Sequence, residues 1–216
     1  MARVSIITSV HATGAWLPEM LASIPWDMPG LEVIVTANGR EDWDAVHAAA
    51  TAVHSVVLRS YTLTLSDSLN VMLGGCAGEY VMRLDPDDKL PPGTLAEMLA
   101  AAEAAEQPCV VYGGYVDFGA AARVIPAGDC SIEGLRARNP GGYNVLASTA
   151  LARQIGGWQE VGWEDWHYLA RLVLAGAHPV KMPKPVLFHR VRTDGRWAEF
   201  YRDNDARIAL VREVLA

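Results

Sequence analysis

The chain has 216 residues, 51% of them hydrophobic and 20% charged, with a formal net charge of −7. That size and balance describe a globular protein with a sizeable core, not a disordered chain, and the acidic charge argues against gripping a nucleic-acid backbone. The three cysteines, Cys76, Cys109 and Cys130, are scattered and odd in number, and no run of 18 apolar residues or signal-peptide layout occurs, so a soluble protein of a reducing, cytoplasmic compartment is expected.

In chain order, RVSIITSV (3–10) reads as a strand and AWLPEMLASI (15–24) as a short helix. LEVIVTA (31–37) is a second strand closed by Asn38–Gly39, EDWDAVHAAATAV (41–53) a helix, and SVVLRS (55–60) a third strand. SDSLNVMLGGCA (66–77) is helical, with Ser66 placed to cap it ahead of Leu69, Met72 and Leu73. Strand EYVMRL (79–84), helix PGTLAEMLAAAEAAE (92–106) and strand CVVYGGYVDF (109–118) follow. Strands alternating with helices at this spacing predict a mainly parallel sheet covered on both faces, with ligands bound beyond the carboxyl ends of its strands.

Residues 119–147 are rich in glycine, alanine and turn signals and predict an irregular strand pair and a loop over the site. STALARQIGGW (148–158) reads as a helix stopped by Gly156–Gly157, and WEDWHYLARLVLAG (163–176) as a strong helix ending at Gly176. PVKMPKPVLFHRVR (179–192) is extended. In the terminal helix (197–216), Trp197, Phe200, Tyr201, Ile208, Val211 and Leu215 share a face that predicts docking on the body. Without repeats or a low-complexity linker, one domain over 1–216 is expected, divided as 1–118, 119–192 and a C-terminal helix, 193–216.

VMRLDPDD (81–88) is the sharpest chemical signal, an apolar strand ending in Asp85, Asp87 and Asp88. On its own it is compatible with a solvated turn. An EF-hand is excluded, because the positions that need glycine and glutamate hold Leu90 and Ala96. Clustered acids at a strand end suit a hard divalent cation that also takes diphosphate oxygens. A second pair, Glu164–Asp165, opens a helix. It fits either a complement to the helix dipole or a general base whose pKa is raised by burial beside Trp158, Trp163 and Trp166. Of the six histidines, His189 is the one nominated as a ligand. GGCAGE (74–79) follows a helix instead of opening one, so it is no phosphate loop, and no G-x-S-x-G occurs.

The order of VSIITSVHATGAWLPEMLASI, LEVIVTANG, SLNVMLGGCAGEYVMRLDPDD and GGWQEVGWEDWHYLARLVLAG resembles the family 2 glycosyltransferases over roughly residues 3–192. The resemblance implies an α/β fold of the GT-A, Rossmann-like type: a mainly parallel central sheet flanked by helices, with a small irregular C-terminal part. It also implies inverting, metal-dependent transfer of a sugar from a nucleoside-diphosphate sugar, expected to be a UDP-sugar, to an acceptor hydroxyl. Residues 1–118 would then bind the donor and 119–192 face the acceptor. By position, Asp165 would be the catalytic base, with Glu164 beside it. Ser9, His11, Asn38, Arg83, Asp85 and Asp87 would line the nucleotide sugar. Asp87, Asp88 and His189 would hold Mn²⁺ or Mg²⁺, with His189 or Arg190 in the segment that closes on the diphosphate. The acceptor is unspecified, nucleic acid is not favoured, and a homodimer is left open.

The sequence departs from the family pattern with Ala37–Asn38 where acids are usual, with Leu69 where arginine often precedes Asn70, and with FHRVRTDG around the metal-facing histidine. The alternatives are a nucleotidyltransferase, for which TSVHATGAW lacks a basic N-terminal loop, and a non-catalytic nucleotide-sugar-binding domain of the same fold.

Overall fold

Strand β1 (Val4–Val10) is buried at all seven positions, as a central strand must be in a sheet covered on both faces. The computed structural model describes residues 4–39, 43–53, 56–60, 63–105, 108–193 and 204–216. After β1 come α1 (Leu17–Ala22), β2 (Leu31–Asn38), α2 (Trp43–Thr51), β3 (Val56–Ser60), α3 (Leu65–Gly75), β4 (Tyr80–Arg83) and α4 (Thr94–Ala104). Next are β5 (Cys109–Tyr112), β6 (Tyr115–Gly119), β7 (Arg123–Ile125), α5 (Ile132–Ala137), β8 (Leu146–Ser148) and α6 (Thr149–Gln154). The chain continues with α7 (Glu164–Leu174), β9 (His178–Lys181), β10 (Leu187–Val191) and α8 (Asn204–Val214).

A seven-stranded sheet runs β3-β2-β1-β4-β8-β5-β9, beside a three-stranded sheet β10-β6-β7. In the large sheet every pairing is parallel except the two made by β8, which lies antiparallel between β4 and β5. The mainly parallel expectation therefore holds, with one reversed strand that the turn-rich 119–147 stretch concealed. Alternation along the strands divides the core between the two faces. Ile7, Ile34 and Val110 pack with Leu69, Met72, Leu151, Leu169 and Leu172, while Ile6, Val33, Val35 and Val111 pack with Leu17, Met20, Val46, Leu95 and Met98.

The stretch expected as one strand, 109–118, and the stretch expected as extended, 179–192, are each split between the sheets. Residues 109–118 divide at Gly113–Gly114, where a Cβ on Gly114 would lie 2.2 Å from the Ile125 carbonyl oxygen and one on Gly113 would lie 2.6 Å from the Val186 side chain. Residues 179–192 divide likewise, with Met182 N–H bonded to Tyr112 O and Val186 N–H to Gly114 O. The two crossings stack, so β6 and β10 leave the large sheet together and pair in parallel.

Other local expectations shift by a few residues. Thr64, not Ser66, caps α3, its hydroxyl accepting from Asp67 N–H at 3.1 Å, while Ser66 is buried. Helix α6 ends at Gln154, with Gly156 and Gly157 at positive φ. In α8, Val211 and Leu215 are buried and Ile208 packs on the core, whereas Trp197, Phe200 and Tyr201 lie outside the described residues. The cysteines are buried free thiols. Among the described residues, no helix is long and apolar enough to cross a membrane.

Gly114→Ala should lower unfolding stability by about 1–3 kcal/mol through overpacking against the Ile125 carbonyl. Urea unfolding at the wild-type midpoint would contradict the crossing described here.

Candidate active site

The carboxyl ends of β1, β2 and β4 carry Ser9, Asn38 and the Asp85–Asp88 turn, side by side because the three strands are parallel neighbours. Leu84 N–H still pairs with Ile7 O at 3.1 Å, and Asp88 N–H closes the turn on Asp85 O at 3.1 Å. Lys89 then bridges to Phe188 of β10. The acidic turn is thus strapped between the large and small sheets.

Arg83, 5% exposed, is the polar interruption of β4. Its Nε and Nη2 donate to Asp85 Oδ1 and Oδ2 at 2.7 and 2.9 Å, and Nη1 donates to Glu164 Oε1 at 2.9 Å. The Tyr143 ring lies 4.8 Å below the guanidinium. Each of its nitrogens engages a carboxylate of the chain, so Arg83 links two acidic groups inside the protein. It joins the two acidic motifs across 81 positions of sequence.

The three acids of the turn have separate surroundings. Asp85 is held by Arg83. Asp88 is 2% exposed, and its oxygens accept from Arg190 N–H at 2.6 Å and from Tyr143 O–H at 2.7 Å. Burial pushes its carboxyl up to about 7. Asp87 is raised above the ordinary range by burial and by the neighbouring Asp85 charge, and Arg192 Nη1 lies 3.4 Å from its Oδ2.

Across from the turn, Glu164 and Asp165 open α7, whose N-cap residue Trp163 makes no side-chain cap bond. Asn139 Nδ2 donates to Asp165 Oδ2 at 3.0 Å. Burial, then the Glu164 charge, hold the Asp165 carboxyl above its ordinary value, against the lowering influence of Arg83 and Asn139. A half-buried carboxylate with a raised pKa at a helix start is suited to accepting a proton. Asn70 sets the approach to α7: its amide donates to Trp158 O at 2.8 Å and accepts from Trp158 N–H at 2.8 Å. A Cβ on Gly157 would fall 2.0 Å from Asn70 Oδ1, so this position needs glycine for close approach as well as for its positive φ.

Nucleotide-side expectations meet a different geometry. Asn38 is buried, and its side-chain amide is paired with the backbone of Leu63, Nδ2 to O at 2.8 Å and N to Oδ1 at 3.2 Å. Its donor and acceptor thus brace the segment leading into α3. His11 is exposed, with Nδ1 against Asn38 O at 2.5 Å. Ser9 donates to Ser68 Oγ at 2.9 Å, which in turn meets Thr36 Oγ1 at 2.8 Å.

His189 pairs through Nδ1 with Asp117 Oδ1 at 2.8 Å. Among the described residues no three His, Cys, Asp or Glu side chains are grouped to hold a metal, so Asp87, Asp88 and His189 do not form a ready-made ligand set, Asp88 being tied to β10 and Tyr143. The donor chemistry that remains nevertheless fits Mn²⁺ or Mg²⁺. Asp87 is a hard oxygen ligand whose charge is disfavoured where it sits, and such ions are commonly held by one or two carboxylates plus substrate phosphates. A carboxylate on the second ring nitrogen, as on His189, is the usual support of a metal-binding histidine. Beside Asp87, Arg190 pairs with Glu19 and donates Nε to Asp87 O at 2.8 Å, while the Arg192 guanidinium lies 4.4 Å from the Trp16 ring centroid.

Tyr143 and Asn139 were not singled out by sequence reasoning. Their one signal was the loop NPGGYN itself, whose glycines permit the close backbone passage at Gly113: a Cβ on Gly141 would lie 2.4 Å from Gly113 O.

The sequence profile of glycosyl transferase family 2 matches residues 5–149. Comparison with curated proteins finds no match. Among solved structures, TarS 1-349 of S. aureus in complex with UDP-GlcNAc superposes with a TM-score of 0.76 at 17% identity, covering 98% of this chain and 66% of that one. The same protein in complex with UDP gives 0.70 at 17% identity, covering 99% and 70%. The mannosyltransferase PcManGT of Pyrobaculum calidifontis, in complex with GDP-Man and Mn²⁺, gives 0.69 at 22% identity, covering 92% and 59%. The chain therefore spans 59–70% of the length of these structures, with which it shares the fold.

Because Asp165 is raised above its ordinary value of 3.8, its stability contribution is complete below that value and is lost as pH rises through the raised one. Asp165→Asn should melt above wild type at about pH 8, with the gap closing by about pH 4. A pH-independent gap in melting temperature would contradict the burial assignment.

Proposed function

The chain belongs to glycosyl transferase family 2, and we propose that it moves a sugar from a nucleoside-diphosphate sugar, of which UDP-sugars are the first class to test, to an acceptor hydroxyl with inversion at the anomeric carbon. The observation that carries this reading is the meeting of the Asp85–Asp88 turn with Glu164–Asp165 through Arg83. The neighbours' complexes, with UDP-GlcNAc and with GDP-Man and Mn²⁺, support the donor class. In this reading, residues 1–118 form the donor-side half of one domain and 119–192 the acceptor-side half.

Asp165 accepts the acceptor hydroxyl's proton as that oxygen forms its bond to the anomeric carbon. The bond from that carbon to the diphosphate oxygen breaks, and its electron pair leaves with the nucleoside diphosphate. Asn139 holds Asp165 Oδ2 by a hydrogen bond that favours the ionised form and orients the other oxygen. Glu164 keeps the pair of acids anchored to Arg83. A divalent cation, held by Asp87 and His189 and completed by diphosphate oxygens, would supply positive charge against the leaving group. Arg192, beside Asp87, adds positive charge at the same place, and Ser9 and His11 lie on the nucleotide side.

Asp165→Asn should lower turnover by roughly 10²–10⁴-fold, the range for loss of a general base, and wild-type transfer by that variant would refute the role. A melting-temperature panel of nucleoside diphosphates and nucleotide sugars, with and without Mn²⁺, should show stabilisation that depends on the metal and is lost in Asp87→Ala. Equal stabilisation of both proteins with and without Mn²⁺ would refute the cation site.

A further inference from the structure

We propose that Arg83 is a positioning residue that holds the acceptor-side acids in register with the donor-side turn, so that loss of its fork impairs turnover while leaving donor binding intact. The inference rests on the reading of the chain as a glycosyltransferase.

Three observations carry it. First, Arg83 stands behind the acids and not among the groups open to the cleft: its side chain is 6% exposed, against 27% for Asp85 and 19% for Glu164. Three of its five N–H donors, one on each nitrogen, are committed to these two carboxylates, and the guanidinium they hold is nearly covered. Second, its own position is set by the sheet, since Arg83 pairs with Ile7 of the central strand, so the guanidinium is a rigid reference point. Third, the first turn of α7 is held by two side-chain bonds from elsewhere in the chain, Arg83 to Glu164 and Asn139 to Asp165, and the first of these ties it to the donor-side turn.

A guanidinium offers a planar fork with parallel donors plus a further donor at a fixed angle, whereas an ammonium is a point charge on a flexible stem. The geometry at Arg83 uses a donor on each of the three nitrogens of that fork. Charge alone would be supplied equally by lysine, so Arg83→Lys separates placement from electrostatics.

The test compares wild type, Arg83→Lys, Glu164→Ala and the double variant in Mn²⁺-dependent UDP-sugar hydrolysis, with water as acceptor, alongside hydrogen exchange of peptides over 161–168. Arg83→Lys should lower kcat about 10–100-fold, as expected when a reacting group is displaced by an ångström, with KM for the donor within about threefold. The double variant should lie close to the weaker single one, because both changes break the same tether. Exchange over 161–168 should speed up in Arg83→Lys, with that of β1 and β2 unchanged. Wild-type kcat in Arg83→Lys, a raised KM at unchanged kcat, or multiplicative losses in the double variant would overturn the proposal. If Arg83→Lys has no cooperative melt, Glu164→Ala alone decides by exchange over 161–168, faster supporting the tether and unchanged refuting it. If wild type hydrolyses no nucleotide sugar, the glycosyltransferase reading falls, and the exchange comparison still decides whether the tether exists.

Discussion

A single buried guanidinium joins the two halves of this site. Arg83 lies on a central strand, where an isolated charge would be strongly disfavoured, and it is tolerated because Asp85 and Glu164 meet it with complementary geometry. Breaking one partner of such a group leaves the others charged and unpaired, so the three side chains are mutually dependent. That dependence ties the end of β4 to the start of α7 more directly than any backbone contact between them. Tyr143, under the guanidinium and bonded to both Asp85 N–H and Asp88, extends the same network into the 139–144 loop.

The turn LDPDD therefore works as a division of labour. Asp85 balances Arg83, Asp88 fastens the small sheet through Arg190 N–H, and Asp87 alone stands beside the cationic residues of β10 and the segment after it. The fastening matters because β6 and β10 belong to a separate sheet and reach the site only where the two glycine and proline crossings bring them. Burial raises the carboxyls of Asp87, Asp88 and Asp165 together. A concentration of disfavoured charge of this kind is retained where charge is used, and proteins commonly sacrifice stability for it at functional sites.

Polar residues that face the nucleotide in the family pattern are partly turned to internal work here. Asn38 repeats the hydrogen bonding of a peptide group toward Leu63, and Ser9 belongs to a buried hydroxyl chain with Ser68 and Thr36. An amide can pair both ways with a backbone where a carboxylate could only accept, which gives Asn38 a structural reason independent of any base. The end of β2 is accordingly shaped by the chain's own packing.

What the sequence determined by itself was everything carried by short-range pattern. Alternating apolar runs foretold the α/β layers, the order of strands and helices through 112, and the placing of LDPDD at a strand's carboxyl end. The acid pair of WEDW was equally visible, as was its need for burial to act as a base. Only the tertiary structure decided the partners of those residues. That Arg83 would reach Glu164, that Asp88 would hold β10, that Asn38 would pair with Leu63, and that 109–118 and 179–192 would each serve two sheets are long-range outcomes. The physical reason is that a strand or helix obeys its own period, whereas a buried polar side chain takes whichever partner the closing of distant segments brings within hydrogen-bond reach.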